Sequence, residues 1–228
     1  QSQGDAENRT LLDALRDTQI DLQRREDDLR ELEGMLNAKE KRLNEVESAL
    51  KDREARVKEL EDIIAEKDAA VRALKDRISQ ALLGFKDKGL TVEQRNGKIY
   101  VSLEAKLLFP SGSTVVNSEG KKALLDLSKV VKEEKEITIL VEGHTDSDPI
   151  NGGAAMKDNW DLSVLRATSV VRIMNQEGGV DNTMLTAAGR GQFIPVADNS
   201  TADGKAKNRR IEIILTPNLD RLFEILNE

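Results

Sequence analysis

Leu15, Leu22, Leu29, Leu36, Leu43, Leu50, Val57, Ile64, Val71 and Ile78 recur at an unbroken seven-residue spacing. Such a repeat keeps one seam of a helix facing a partner helix, so these residues read as the a positions of a coiled coil. The d positions alternate between basic and apolar side chains: Arg25, Leu32, Lys39, Val46, Arg53, Leu60, Lys67, Leu74. Beside them Glu26, Glu33, Glu40, Glu47, Glu54, Glu61 and Asp68 occupy the e positions. The long cations can snorkel out of the seam towards these acids, which weakens the seam and controls its register. The spacing predicts a helix from about residue 7 to 83, on the order of 115 Å long at 1.5 Å per residue. A homo-oligomeric or folded-back coiled coil is the favoured reading; a lone helix held by i,i+4 ion pairs is the bland one.

Past Leu83-Gly84 the period changes. Leu90–Glu93 and Lys98–Leu103 flank Asn96-Gly97, a strong hairpin signal. Lys106–Phe109 reads as a short edge strand closed by Pro110-Ser111-Gly112. Ser118 is the expected N-cap of a helix with an apolar face of Ala123, Leu124, Leu127, Val130 and Val131. Ile137–Val141 predicts a buried strand, Asn159–Glu177 a helix stopped by Gly178-Gly179, and Met184–Ala188 and Ile211–Leu215 two more strands. Residues 189–199 read as loop, and a short amphipathic helix with Leu219, Leu222, Phe223 and Leu226 is expected after Pro217. The order β-α-β-α-β-β implies an α+β sandwich, a mixed sheet with helices on one face, over residues 84–228, preceded by the helical spacer 1–83.

Composition sharpens that boundary. All six aromatic residues (Phe85, Tyr100, Phe109, Trp160, Phe193, Phe223) and all four prolines lie beyond residue 84. The first segment therefore lacks the material for a globular core and has nothing to stop a helix. With 35 Lys+Arg against 42 Asp+Glu the net charge is −7, which argues against a general nucleic-acid partner. No apolar run approaches the ~20 residues that span a bilayer. The absence of cysteine removes disulfides and thiol chemistry.

Polar groups converge after the strand Ile137–Val141, where the chain reads Glu142-Gly143-His144-Thr145-Asp146. Leu162 and Arg166 are four apart on the following helix and share a face that can look back at this loop. His144 has neither a second histidine nor a cysteine to complete a zinc site or a nucleophilic triad, so it is expected to hydrogen-bond within its turn. Trp160 is expected to pack at the helix start. Taken alone, Asp146 and Arg166 read equally well as a structural ion pair.

These residues carry a resemblance. Val141-Glu142-Gly143-His144-Thr145-Asp146, then Asn159-Trp160-Asp161-Leu162-Ser163 with Arg166-Ala167, Ala188-Gly189-Arg190-Gly191 with Pro195, and Asn208-Arg209-Arg210-Ile211-Glu212 closely resemble the OmpA/MotB-like peptidoglycan-binding domain. Phe109-Pro110-Ser111-Gly112-Ser113 looks like the family's Phe-x-x-Gly-Ser turn, and the likeness covers roughly residues 90 to 216. It implies an OmpA-like fold and a non-catalytic, periplasmic protein of the cell envelope that binds the diaminopimelate-bearing stem peptide without cofactor or metal. Its membrane anchor, expected in the outer membrane, would lie outside this sequence. The implied ligand residues are Asp146, Arg166, Thr145, Asn159, Leu162 and Phe109, with Arg209 or Arg210 as a supporting cation. The ligand's free end is a zwitterion: Asp146 would accept from its ammonium while Arg166 holds its carboxylate through two parallel N–H bonds. The long stretch from Asp146 to Asn159 looks like the flagellar stator branch of the family. A structural role for the coiled coil, with wall binding secondary, is the alternative.

Overall fold

The computed structural model describes residues 2–150, 156–218 and Ile225. The chain divides into a helical unit, Gln1–Leu60, and a compact unit, Glu61–Glu228. Helix α1 (Ser2–Ala81) runs through the division. In the first unit the seam residues Leu15, Leu22, Leu29, Leu36, Leu43, Leu50 and Val57 are each more than half exposed on the single chain, at 53–66%. Among the described residues no helix is long and apolar enough to cross a membrane.

In the second unit the same heptad register serves a different purpose. Val71, Leu74 and Ile78 continue the a and d positions, and together with Leu82 and Phe85 they are buried in the core of the globular fold. Lys67, a basic d position, pairs with Glu136, and Arg77 pairs with Glu133 and Glu134. The turns that composition grouped with the spacer are thus built into the compact unit. After Ala81 a 3-10 turn (Leu83–Lys88) ends at Gly89 in the left-handed region, φ +90°.

Strands β1 (Leu90–Arg95) and β2 (Lys98–Glu104) form the expected hairpin. Asn96 and Gly97 both take positive φ, +51° and +71°, as the tightest two-residue hairpin turns require. Helix α3 (Ser118–Val131), strand β3 (Ile137–His144), helix α4 (Asn159–Gln176), strand β4 (Leu185–Gly189), helix α5 (Ala202–Asn208) and strand β5 (Arg210–Pro217) complete the fold, with a single helical turn, α2 (Ala105–Leu108), after β2. The sheet order is β1-β2-β5-β3-β4. β3 and β4, joined through α4, are parallel; the other pairs are antiparallel. The α+β mixed sheet with helices is therefore the architecture the pattern implied. Its core face is drawn from alternate positions: Ile99, Val101 and Leu103 on β2, Ile139 and Val141 on β3, Ile211, Ile213 and Leu215 on β5.

Four local expectations are corrected. Lys106–Phe109 is not an edge strand: α2 occupies it, with the Ala105 N–H donating to Arg209 O and the Phe109 N–H to Ala105 O. Leu107 and Leu108 are both buried, which alternation in a strand would not allow. The cap of α3 is Asn117, whose side chain accepts from the Gly120 N–H at 2.7 Å, one residue before Ser118. β5 starts at Arg210. Helix α5 was not anticipated, although its N-cap, Thr201 accepting from the Gly204 N–H at 3.0 Å, is an ordinary start signal. The amphipathic segment with Leu219, Leu222, Phe223 and Leu226 lies outside the described residues.

Candidate functional site

The site gathers where β3 ends. Gly143 lets α4 pack hard on this strand: a Cβ there would stand 2.1 Å from Ser163 O, in the middle of the helix backbone. That approach brings the start of α4 beside the loop that follows His144. Asp158 caps α4, accepting from the N–H groups of Trp160 (2.9 Å) and Asp161 (3.1 Å). Thr145 is buried; its N–H donates to Gly191 O at 2.9 Å and its hydroxyl to Asp146 O at 2.9 Å, so it shapes the loop.

Asp146 and Arg166 are both buried, each 6% exposed. They do not pair with each other. Asp146 Oδ2 is held by Arg209 Nη1, and its Oδ1 accepts from the Asp148 N–H at 3.1 Å. Arg166 donates Nε–H to Ser113 O at 3.0 Å, and its guanidinium carbon lies 4.8 Å from the centre of the Phe109 ring, a cation–π contact. Among the described residues neither terminal nitrogen of Arg166 is hydrogen-bonded, and no carboxylate stands within 4.0 Å of it. Burial pushes the Arg166 pKa below its ordinary value, the charge of Arg209 adds to this, and Asp146 offsets part of it. The result is a nearly buried cation with no hydrogen bond to either terminal nitrogen among the described residues. Leu162, one turn before Arg166, is buried as well.

Asn159 binds the neighbouring loops together: its Nδ2 reaches Gln192 Oε1 (2.7 Å), Asp148 O (3.1 Å) and Asp146 O (3.3 Å). Its Oδ1 is buried without a partner among the described residues. Ser113, Asp148 and Gln192 were not singled out as site residues from the sequence, since each acts through local loop geometry. Trp160, expected to pack at the helix start, stacks on Phe193 with ring centres 5.2 Å apart and stays 47% exposed.

Arg209 and Arg210 part company, because adjacent residues at a strand start diverge. Arg209 serves Asp146. Arg210 is buried in a second cluster, where its Nε binds Glu212 Oε1 at 2.8 Å. There Glu142 faces Glu212 across the β3–β5 register, and Arg190 binds Glu142 Oε1 through Nη2 at 2.7 Å. His144 lies between the two acids, Nε2 at 3.7 Å from Glu142 Oε2 and 3.9 Å from Glu212 Oε2. Against expectation, neither of its ring nitrogens is hydrogen-bonded among the described residues. Burial first, then Arg210, lowers its pKa to about 4, against the opposing pull of Glu212 and Glu142. Glu142, His144 and Glu212 could each offer one ligand atom to a cation, all within 4.8 Å of one another. The two arginines already balance the two carboxylates.

This fold and this arrangement define an α+β domain of known kind. The OmpA family model matches residues 108–209. Motility protein B of Bacillus subtilis is 30% identical over 119 residues, covering 52% of this chain and 45% of that protein. The cell wall anchor of the T6SS from Pseudomonas aeruginosa is 33% identical, with TM-score 0.57, covering 62% of this chain and 98% of that one. A MotB-like protein from Desulfovibrio vulgaris superposes with TM-score 0.62 at 25% identity, over 68% of this chain and 98% of that one. Residues 108–209 belong to the OmpA family. It spans about half the length of the curated relatives it matches, 45% and 56% for the first two.

Proposed function

We propose that this protein is a non-catalytic, periplasmic component of the cell envelope that grips peptidoglycan with its compact unit. The ligand is the zwitterionic end of a diaminopimelate-type stem peptide. One observation carries the reading: Arg166 is nearly buried and, among the described residues, has neither an acidic partner nor a hydrogen bond to its terminal nitrogens. A buried unpaired charge is costly, and a ligand carboxylate would supply both the missing charge and a two-pronged acceptor. Asp146, held by Arg209 and the Asp148 N–H, keeps acceptor capacity for the ligand ammonium. Thr145 and Asn159 hold the loop, while the Phe109 ring supports the Arg166 guanidinium. The likeness to a P. aeruginosa cell wall anchor supports the same assignment. The helix up to Leu60, about 90 Å at 1.5 Å per residue, acts as a spacer towards a membrane anchor, which we place in the outer membrane.

Sedimentation with purified sacculi tests this. The wild-type chain co-sediments and free diaminopimelate competes. Arg166→Lys, which keeps the charge but loses the planar fork, and Asp146→Asn each weaken retention at least tenfold with thermal unfolding unchanged. Folded variants that sediment like wild type would remove the site assignment.

A second reading has its own support in the exposed seam of α1: the helix is an assembly device that recruits a second copy, with wall binding secondary.

A further inference from the structure

Strands β3 and β5 close around the polar cluster of Glu142, His144 and Glu212, which the wall reading leaves without a task. The three side chains share one face of the sheet, with Glu142 opposite Glu212 in the register. His144 is only 2% exposed, and among the described residues neither of its ring nitrogens has a hydrogen-bond partner. Its Nε2 nevertheless points between two carboxylate oxygens, 3.7 Å from Glu142 Oε2 and 3.9 Å from Glu212 Oε2. A hydrogen bond would need about 2.7–3.2 Å, so neither contact is one. The separations instead approach the spacing of ligands around one small cation. Bonds of about 2.0–2.1 Å to a tetrahedral zinc ion set neighbouring ligand atoms about 3.4 Å apart. One ligand atom from each of the three side chains lies within 4.8 Å of the other two.

We propose that Glu142, His144 and Glu212 form a zinc site, with His144 Nε2 and one Oε2 from each acid as ligands and solvent in the fourth position. The inference is independent of the peptidoglycan reading. The neighbouring arginines do not occupy the ligand oxygens. Arg190 binds Glu142 through Oε1, and Arg210 binds Glu212 through Oε1. Each acid therefore keeps Oε2 for the cation while its other oxygen is anchored, which is how ligating carboxylates are commonly oriented. The two acids neutralise a dication, and the excess positive charge falls on the guanidiniums. Arg190 is 48% exposed on its side chain, so solvent screens its share. The donor set selects the ion. Calcium and magnesium require six or more oxygen ligands, whereas one imidazole with two carboxylates suits zinc.

His144 is the only histidine, so its imidazole resonances report this site alone. The whole chain, carrying no histidine tag and stripped with a chelator, is titrated with zinc chloride. Calorimetry gives the stoichiometry while nitrogen-15 NMR follows the His144 ring. The expected result is one zinc ion per chain, with the Nε2 resonance moving in step with the calorimetric curve. The unfolding temperature rises with zinc and stays put with equimolar magnesium or calcium. Glu212→Gln, which keeps an oxygen for Arg210, weakens zinc binding at least tenfold. His144→Gln abolishes the stoichiometric step, and circular dichroism checks that both variants are folded. The NMR readout uses the wild-type chain, so the test stands even where a variant does not fold. Absence of zinc binding, or binding that leaves the His144 resonances unmoved, would overturn the site. So would a folded His144→Gln chain that takes one zinc ion with wild-type affinity.

Discussion

Glu142 and His144 stand two apart on β3, and Arg210 and Glu212 two apart on β5, so alternation delivers all four to one face of the sheet. Opposed acids would repel, and Arg190 and Arg210 settle that by binding one acid each. His144 is left neutral among them, with a pKa lowered to about 4 from an ordinary 6.5. The native state therefore binds fewer protons than the unfolded chain between those values, and stability falls as pH falls through this window. The loss is on the order of 3 kcal/mol, since each tenfold drop in proton affinity is worth about 1.36 kcal/mol. In His144→Gln, that share of the decline between pH 6.5 and about 4 should vanish from denaturant titrations run across this range. An unchanged slope would show that other groups carry the acid sensitivity. Arg166 presents the complementary case: its charge cannot be dismissed by deprotonation, so it calls for an anion. Sequence inspection could single out Asp146 and Arg166 as candidate site residues. It could not see that Arg209 would take the Asp146 carboxylate, because that contact depends on how the chain turns into β5.

At the scale of elements, α1 shows one periodicity put to two uses. Its seam is exposed as far as Val57 and buried from Val71 onward. Ile78→Ala removes a fully buried side chain and should cost about 2–5 kcal/mol of compact-unit stability. Leu29→Ala should leave that unit's unfolding unchanged. Chemical denaturation followed by Trp160 fluorescence separates the two, and equal effects would mean that the helix does not end inside the core. The hairpin, α3, α4 and the strands were legible because each has a clear period and a turn or cap residue at its ends. α2 and α5 were not: Ala105–Leu108 looks strand-like by composition, and Ala202–Asn208 has a cap but no apolar stripe. Neither element has sufficient local signal, and each is set by contacts from elsewhere, such as the Ala105 N–H bonded to Arg209 O.

For the molecule as a whole, the exposed leucines of the first unit predict association. A row of half-exposed aliphatic side chains at heptad spacing is stable in water when a second helix covers it. Replacing Leu29 and Leu36 with Asp should convert the chain from an oligomer to a monomer in sedimentation equilibrium, with sacculus binding by each copy retained. Because several linked copies raise the effective concentration at the wall, overall retention should weaken more than the single-site affinity does. A wild-type chain that is already monomeric would leave the seam without this role.

The primary structure settled the long heptad helix, the α+β order and the family, since these depend on period, cap chemistry and short motifs that neighbours in the chain define. Only tertiary packing decided which part of the seam the globular core would bury, and that His144 would be left without a hydrogen bond. It also left the terminal nitrogens of Arg166 without a hydrogen bond among the described residues. Those outcomes depend on which distant segments meet, and no local pattern encodes the distance between a guanidinium and the carboxylate it fails to reach.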